Sequence, residues 1–205
     1  MKLHHRVLAL VLAVALAFSL TACSPKEIAQ NMVLGVVRAL GFTTADSEGE
    51  EATETMATAG GSITFPEGFD TTSRANTLLQ EGTLYISFNN IQGYNTDYFT
   101  AAGDSVTVTS YGSTDATKTS YDTYKVALWE LSDDGKTTTY VKGSTIYFSV
   151  SSDETCYTYD ISGLTPGKKY KATISFDSTV AYITGGMTVT GLTDDALVQT
   201  ETDED

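Results

Sequence analysis

Histidine is almost missing from this sequence: His4 and His5 are the only two among 205 residues, and both stand ahead of an apolar leader. Once such a leader is removed, no imidazole remains for a Ser-His-Asp triad, a Cys-His dyad or a histidine-ligated metal. Cysteine is equally scarce, at Cys23 and Cys156. If Cys23 is consumed by modification, Cys156 has no partner within the chain, so a packed core rather than a disulfide has to hold the fold. There is no G-x-S-x-G, no P-loop and no C-x-x-C, and no motif calls for a cofactor. Twelve Lys and Arg face 26 Asp and Glu, a formal charge of −14, which repels nucleic acid. Glycoside hydrolysis needs only two carboxylates near a cleft, but among 26 acids no spacing singles out a pair. These absences point away from an enzyme.

What is present begins with the leader. Residues 1–6, MKLHHR, are positively charged, and residues 7–20, VLALVLAVALAFSL, carry no charge at all. That is the layout of a secretory signal, shorter than the roughly 20 apolar residues of a membrane-spanning helix. The run closes on Leu20-Thr21-Ala22-Cys23, followed by Ser24. In this order and at this distance from the apolar core, the four residues resemble the lipobox of a bacterial lipoprotein signal peptide. The resemblance implies cleavage after residue 22, a diacylglycerol on Cys23 and an extracytoplasmic, lipid-anchored protein on the cell membrane. Two acyl chains hold firmly, because each buried methylene contributes about 0.8 kcal/mol.

Residues 23–42 then carry a helical pattern. Ile28, Met32, Val36 and Leu40 recur every four residues, with Lys26, Gln30, Asn31 and Arg38 elsewhere. This spacing predicts a short amphipathic helix, which would lie on the bilayer, dock on the following domain or serve as a spacer. Residues 43–62 and 193–205 are acidic and poor in large apolar groups, so both are expected to be solvated and disordered.

From residue 63 to 192 the period becomes two. Tyr170, Ala172, Ile174 and Phe176 alternate with Lys171, Thr173 and Ser175, and Leu84, Ile86 and Phe88 repeat the pattern. AAGDS, SDDGK, VKGS, GLTPGK and TGG punctuate these runs and read as turns. The expectation is one all-β domain, an antiparallel β-sandwich of about eight or nine strands.

Within it, Leu164, Pro166, Gly167 and Tyr170 of LTPGKKY resemble the tyrosine corner of fibronectin type III domains. That resemblance implies a core Leu164, a Pro166-Gly167 turn and a Tyr170 phenol reaching back to upstream backbone. The segment TTTYVKGSTIYFSV and the strands before residue 110 exceed a seven-strand module. A larger jelly roll, of the kind seen in carbohydrate-binding modules, uses the same corner chemistry.

The aromatic residues supply the candidate site. In YKVALWEL, Tyr124, Val126 and Leu128 share one face and Trp129 lies on the other, either covered or standing as a platform for a flat ligand such as a sugar ring. NNIQGYNTDYF offers Asn89, Asn90, Tyr94, Asn95, Asp97 and Tyr98 in a loop-like stretch whose rings and amides suit carbohydrate. Two functions are compatible with these features. One is a tethered, non-enzymatic module that binds a glycan or a partner protein; the other is a structural component of the cell envelope with no small ligand.

Overall fold

The structure is a computed structural model that describes residues 54–116 and 121–199. Cys23, the helix expected within residues 23–42 and most of the 43–62 linker lie outside these described residues.

Twelve strands form in chain order: β1 Thr58–Ala59, β2 Ala75–Gln80, β3 Thr83–Ile91, β4 Gly93–Asn95, β5 Phe99–Thr100 and β6 Ser105–Thr114, then β7 Thr123–Leu131, β8 Thr138–Tyr140, β9 Ile146–Ser149, β10 Tyr157–Ser162, β11 Lys169–Ser175 and β12 Ile183–Thr190. One sheet runs β1-β10-β6-β12-β3-β2; the other runs β4-β11-β7-β8, with β5 also on β11 and β9 also on β7. Every ladder is antiparallel. The two sheets face each other as a β-sandwich, the expected class. The excess over eight or nine strands comes from β1, β4, β5 and β8, whose two or three residues are too few to show a period of two.

The alternating residues meet between the sheets. Leu84, Ile86 and Phe88 of the first sheet and Val126, Leu128, Ala172 and Ile174 of the second are 0% exposed. Removing one such large aliphatic or aromatic side chain from water is worth about 1.5–3 kcal/mol. Tyr124 crosses this core. Its ring stacks on Phe148 at 5.6 Å, meets Phe88 edge-on at 6.3 Å, and its hydroxyl donates to Ser110 Oγ at 2.7 Å.

The TGG stretch departs from its expected role, because Gly185 and Gly186 lie inside β12 rather than at a reversal. Gly185 pairs with Gly112 of β6. A Cβ on Gly185 would stand 2.1 Å from the Tyr111 carbonyl oxygen, and one on Gly112 would stand 2.9 Å from the Tyr124 ring. On the opposite face, a Cβ on Gly186 would stand 2.8 Å from the Phe65 and Tyr111 rings. These glycines therefore provide close approach for aromatic rings, a second use of glycine in strands. Asn89 and Asn90, expected in a ligand-binding loop, instead form a β-bulge: two residues of β3 oppose Thr184 alone. Asn90 is left-handed at φ 55, and Asn89 Nδ2 donates to the carbonyls of Thr71 and Ser73.

Both edges of the second sheet are interrupted, and a hydroxyl completes each. Between β4 and β5, Ala172 N donates to Thr96 Oγ1 at 3.0 Å, where a strand carbonyl would otherwise accept. Between β8 and β9, Leu128 N donates to Ser144 Oγ at 2.9 Å. Thr96 and Ser144 are 0% exposed. Ala172 and Leu128 are register partners, so the two repairs stand on one row across the sheet.

The acidic flanks are structured where described, against the expectation of disorder. Ala57 N donates to Tyr147 O and Tyr147 N to Thr55 O, both at 2.8 Å, while Thr58 and Ala59 pair with β10. At the other end, Tyr98 and Val198 exchange backbone hydrogen bonds of 2.8 and 3.0 Å, and Gly82 N donates to the Asp194 carboxylate. The sandwich thus extends past both limits set at 63 and 192. Backbone pairing asks nothing of side-chain polarity, so a Thr- and Ala-rich segment can dock without an apolar pattern.

Candidate functional site

The alternation that fills the core also sets the outer face of the second sheet. Lys125, Ala127, Trp129 and Leu131 of β7, with Lys169, Lys171, Thr173 and Ser175 of β11, point away from it. On one row, Lys171 pairs with Trp129 and Trp129 pairs with Tyr140 of β8. The Trp129 and Tyr140 rings meet edge to face at 5.6 Å, with Tyr140 39% exposed and Trp129 half-buried.

Tyr98 lies across the same face. Its backbone is pinned by Val198 and its hydroxyl shares a 2.8 Å hydrogen bond with Thr138 of β8. The Lys171 ammonium sits 5.4 Å from its ring centroid. Only 5% of Tyr98 is exposed, so it is a floor for this surface and not an open platform. Above it, a groove of about 670 Å³ opens between the 132–136 turn, the 167–169 turn and the last described residues, Val198 and Gln199.

The remaining sequence candidates disperse. Tyr94 shares the inner face with its partner Ile174 and packs against the core; burial first, then the Asp97 charge, pushes its phenol above the ordinary value. Asn95 points outward and accepts a 2.7 Å hydrogen bond from Thr173 Oγ1. Asp97 is half-buried, with its own carbonyl accepting from Thr96 Oγ1 at 2.8 Å. The single stretch that looked like one site therefore feeds two sides of the sheet. A strand sends neighbours to opposite faces, and Tyr94-Asn95 is a strand.

The corner residues carry structure. Leu164 is 5% exposed, Gly167 has φ 81 after Pro166, and the Tyr170 hydroxyl accepts from Thr165 N at 2.9 Å. The same hydroxyl donates to Glu130 Oε2 at 3.2 Å, a partner that sequence reasoning did not supply. Burial and the nearby Glu130 charge raise the Tyr170 phenol. Cys156 is half-buried beside Glu154, and burial pushes its thiol up, which disfavours the reactive thiolate. The SDDGK turn satisfies Asp134 internally, its carboxylate accepting from Ser132 Oγ and Lys136 N. No group of three or more His, Cys, Asp or Glu suited to a metal occurs among the described residues.

The lysines around the groove escaped the sequence reading. Lys136 is some thirty residues from Lys168, Lys169 and Lys171, and only the pairing of β7 with β11 brings them together. The visible signal was GKKYK, three cations within four residues of an acidic chain.

No family model matches the sequence, and no curated protein matches it either. Among solved structures, one from a study of the promiscuous specificity of carbohydrate-binding modules of the β-sandwich superfamily aligns at 8% identity with a TM-score of 0.32, over 69% of this chain and 62% of that one. The aligned part is less than two thirds of that structure's length.

Proposed function

We propose that this chain is a non-enzymatic, extracytoplasmic binding module, anchored through a diacylglycerol on Cys23, whose second sheet presents Trp129 and Tyr140 to a glycan. The anchor rests on the lipobox-like LTAC at residues 20–23. The glycan reading rests on one observation: Trp129 and Tyr140 sit edge to face, in register, on a solvent-facing sheet surface. An aromatic face flanked by polar groups suits a sugar ring, whose C–H face is apolar and whose rim is hydroxylated.

The test uses the purified full chain on a glycan array, followed by tryptophan fluorescence titration of any hit. Trp129 is the only tryptophan, so its emission reports this surface directly. Saturable binding that shifts the emission and is lost in Trp129→Ala, with the thermal midpoint preserved, is the expected result. Binding that survives Trp129→Ala would move the site elsewhere.

A further inference from the structure

The cations among the described residues are Arg74, Lys125, Lys136, Lys142, Lys168, Lys169 and Lys171. Four of these seven, Lys136, Lys168, Lys169 and Lys171, line the groove over Tyr98, where Asp133 supplies the one carboxylate among the described residues. The clustering runs against composition, since acids outnumber bases by 26 to 12 over the whole chain. Among the described residues it is also largely unneutralised. Among the described residues there are two ion pairs, Lys125 with Asp177 and Lys168 with Asp133, so Lys136, Lys169 and Lys171 take part in none. Gathering like charges is electrostatically unfavourable on its own, and a cleft lined by one sign concentrates ligands of the other.

The groove adjoins the aromatic pair. Lys171 is the register partner of Trp129, and Lys169 lies one step further along the same outer face of β11. We propose that the groove binds a polyanionic glycan, with ammonium groups of Lys136, Lys169 and Lys171 meeting the anionic substituents of a chain whose neighbouring ring lies on Trp129 and Tyr140. This deepens the glycan reading above and rests on it. The substituent is a carboxylate or a sulfate ester; a lysine ammonium is a point charge that serves both.

The experiment titrates the full chain with polygalacturonate, dextran sulfate, neutral dextran and polyglutamate, by calorimetry and by Trp129 emission, at 50 and about 500 mM salt. At least one of the two anionic polysaccharides should bind, shift the emission and lose about tenfold in affinity at the higher salt, as screening of exposed charges requires. Comparing the two identifies the substituent. Dextran should bind about tenfold more weakly than the better polyanion, or not at all.

Lys136→Gln/Lys169→Gln spares Lys171, whose ammonium covers the Tyr98 ring. This double variant should lower polyanion affinity by about tenfold or more with the thermal midpoint unchanged. Dextran binding as tightly as the polyanions, or a double variant binding like the parent, would overturn the charged groove while leaving the aromatic platform standing. Polyglutamate binding equally well without moving the Trp129 emission would overturn the glycan and make the groove an acidic-peptide site. Failure of both anionic polysaccharides to bind the folded chain would overturn the proposal outright, and retained dextran binding would then still support the platform.

Discussion

The two sheets of this sandwich solve the same problem differently. The first is continuous from β10 through β6, β12 and β3 to β2, and aromatic rings settle into it over Gly112, Gly185 and Gly186. The second has a two-strand centre, β11 and β7, with both edges broken and mended by single hydroxyls. The first sheet depends on having no side chain at chosen points, and the second on having one particular oxygen. The two sheets thereby divide their roles. On the outer surface of the second sheet, Tyr98 from the β4–β5 side meets Thr138 of β8 and Lys171 of β11, beside Tyr140.

Perturbing each sheet at its own vulnerable point should separate them. Gly185→Ala carries the largest expected effect, because its Cβ would meet backbone oxygen at 2.1 Å and nothing there can rotate aside. A loss of about 3 kcal/mol or more in urea unfolding is expected, at or beyond the upper end for overpacking; a loss below about 1 kcal/mol would show that the first sheet yields easily.

Ser144→Ala comes next. It leaves the buried Leu128 N–H without its acceptor, at a cost of about 1–3 kcal/mol. Thr96→Val should behave alike toward Ala172, and the double mutant should depart from additivity by about 0.5 kcal/mol or more because the two repairs share a row. Strict additivity would mean that the edges are mended independently. Tyr170→Phe should cost about 1 kcal/mol, since the Thr165 N–H it abandons can turn to water.

The smallest effect sits in the connection between the sheets. Asp153 accepts from Thr155 N and Thr155 Oγ1 and from Ser151 Oγ, and these hydrogen bonds, that of Ser151 foremost, lower its pKa from 3.8 to about 2. A depressed carboxylate contributes stability that is fully present above its unfolded pKa and is lost as pH falls through the folded one. Asp153→Asn should therefore flatten the acid limb of a stability curve between pH 3.8 and about 2 and change its shape little at neutral pH. An unchanged acid limb would mean that Asp153 contributes nothing to acid sensitivity.

Much of the layering was legible in the sequence. Tyr170 to Phe176 alternates cleanly because β11 is central, with a core on one side and water on the other. Legibility fails where backbone does the work. Thr58–Ala59 pairs chiefly through its backbone, with Thr58 Oγ1 adding a 3.4 Å hydrogen bond to Thr158 O, so its Thr- and Ala-rich sequence looks like a linker. Gly185-Gly186 imitates a turn, since a glycine that admits a ring and a glycine that admits a reversal are the same letter. The candidate site was legible in part: Trp129 on the outer side follows from phase alone, whereas Tyr140 and the lysines join it only through strand register. Tyr98 shows the reverse, a ring that looks available in sequence and is roofed by Lys171 in space.

Residues 55–59 bond first to Tyr147 of the second sheet and then to β10 of the first. A pull from the N-terminal side therefore meets both layers within five residues. This short stretch is thus fastened to the two layers in succession, by one parallel bridge to Tyr147 and then by an antiparallel ladder to β10.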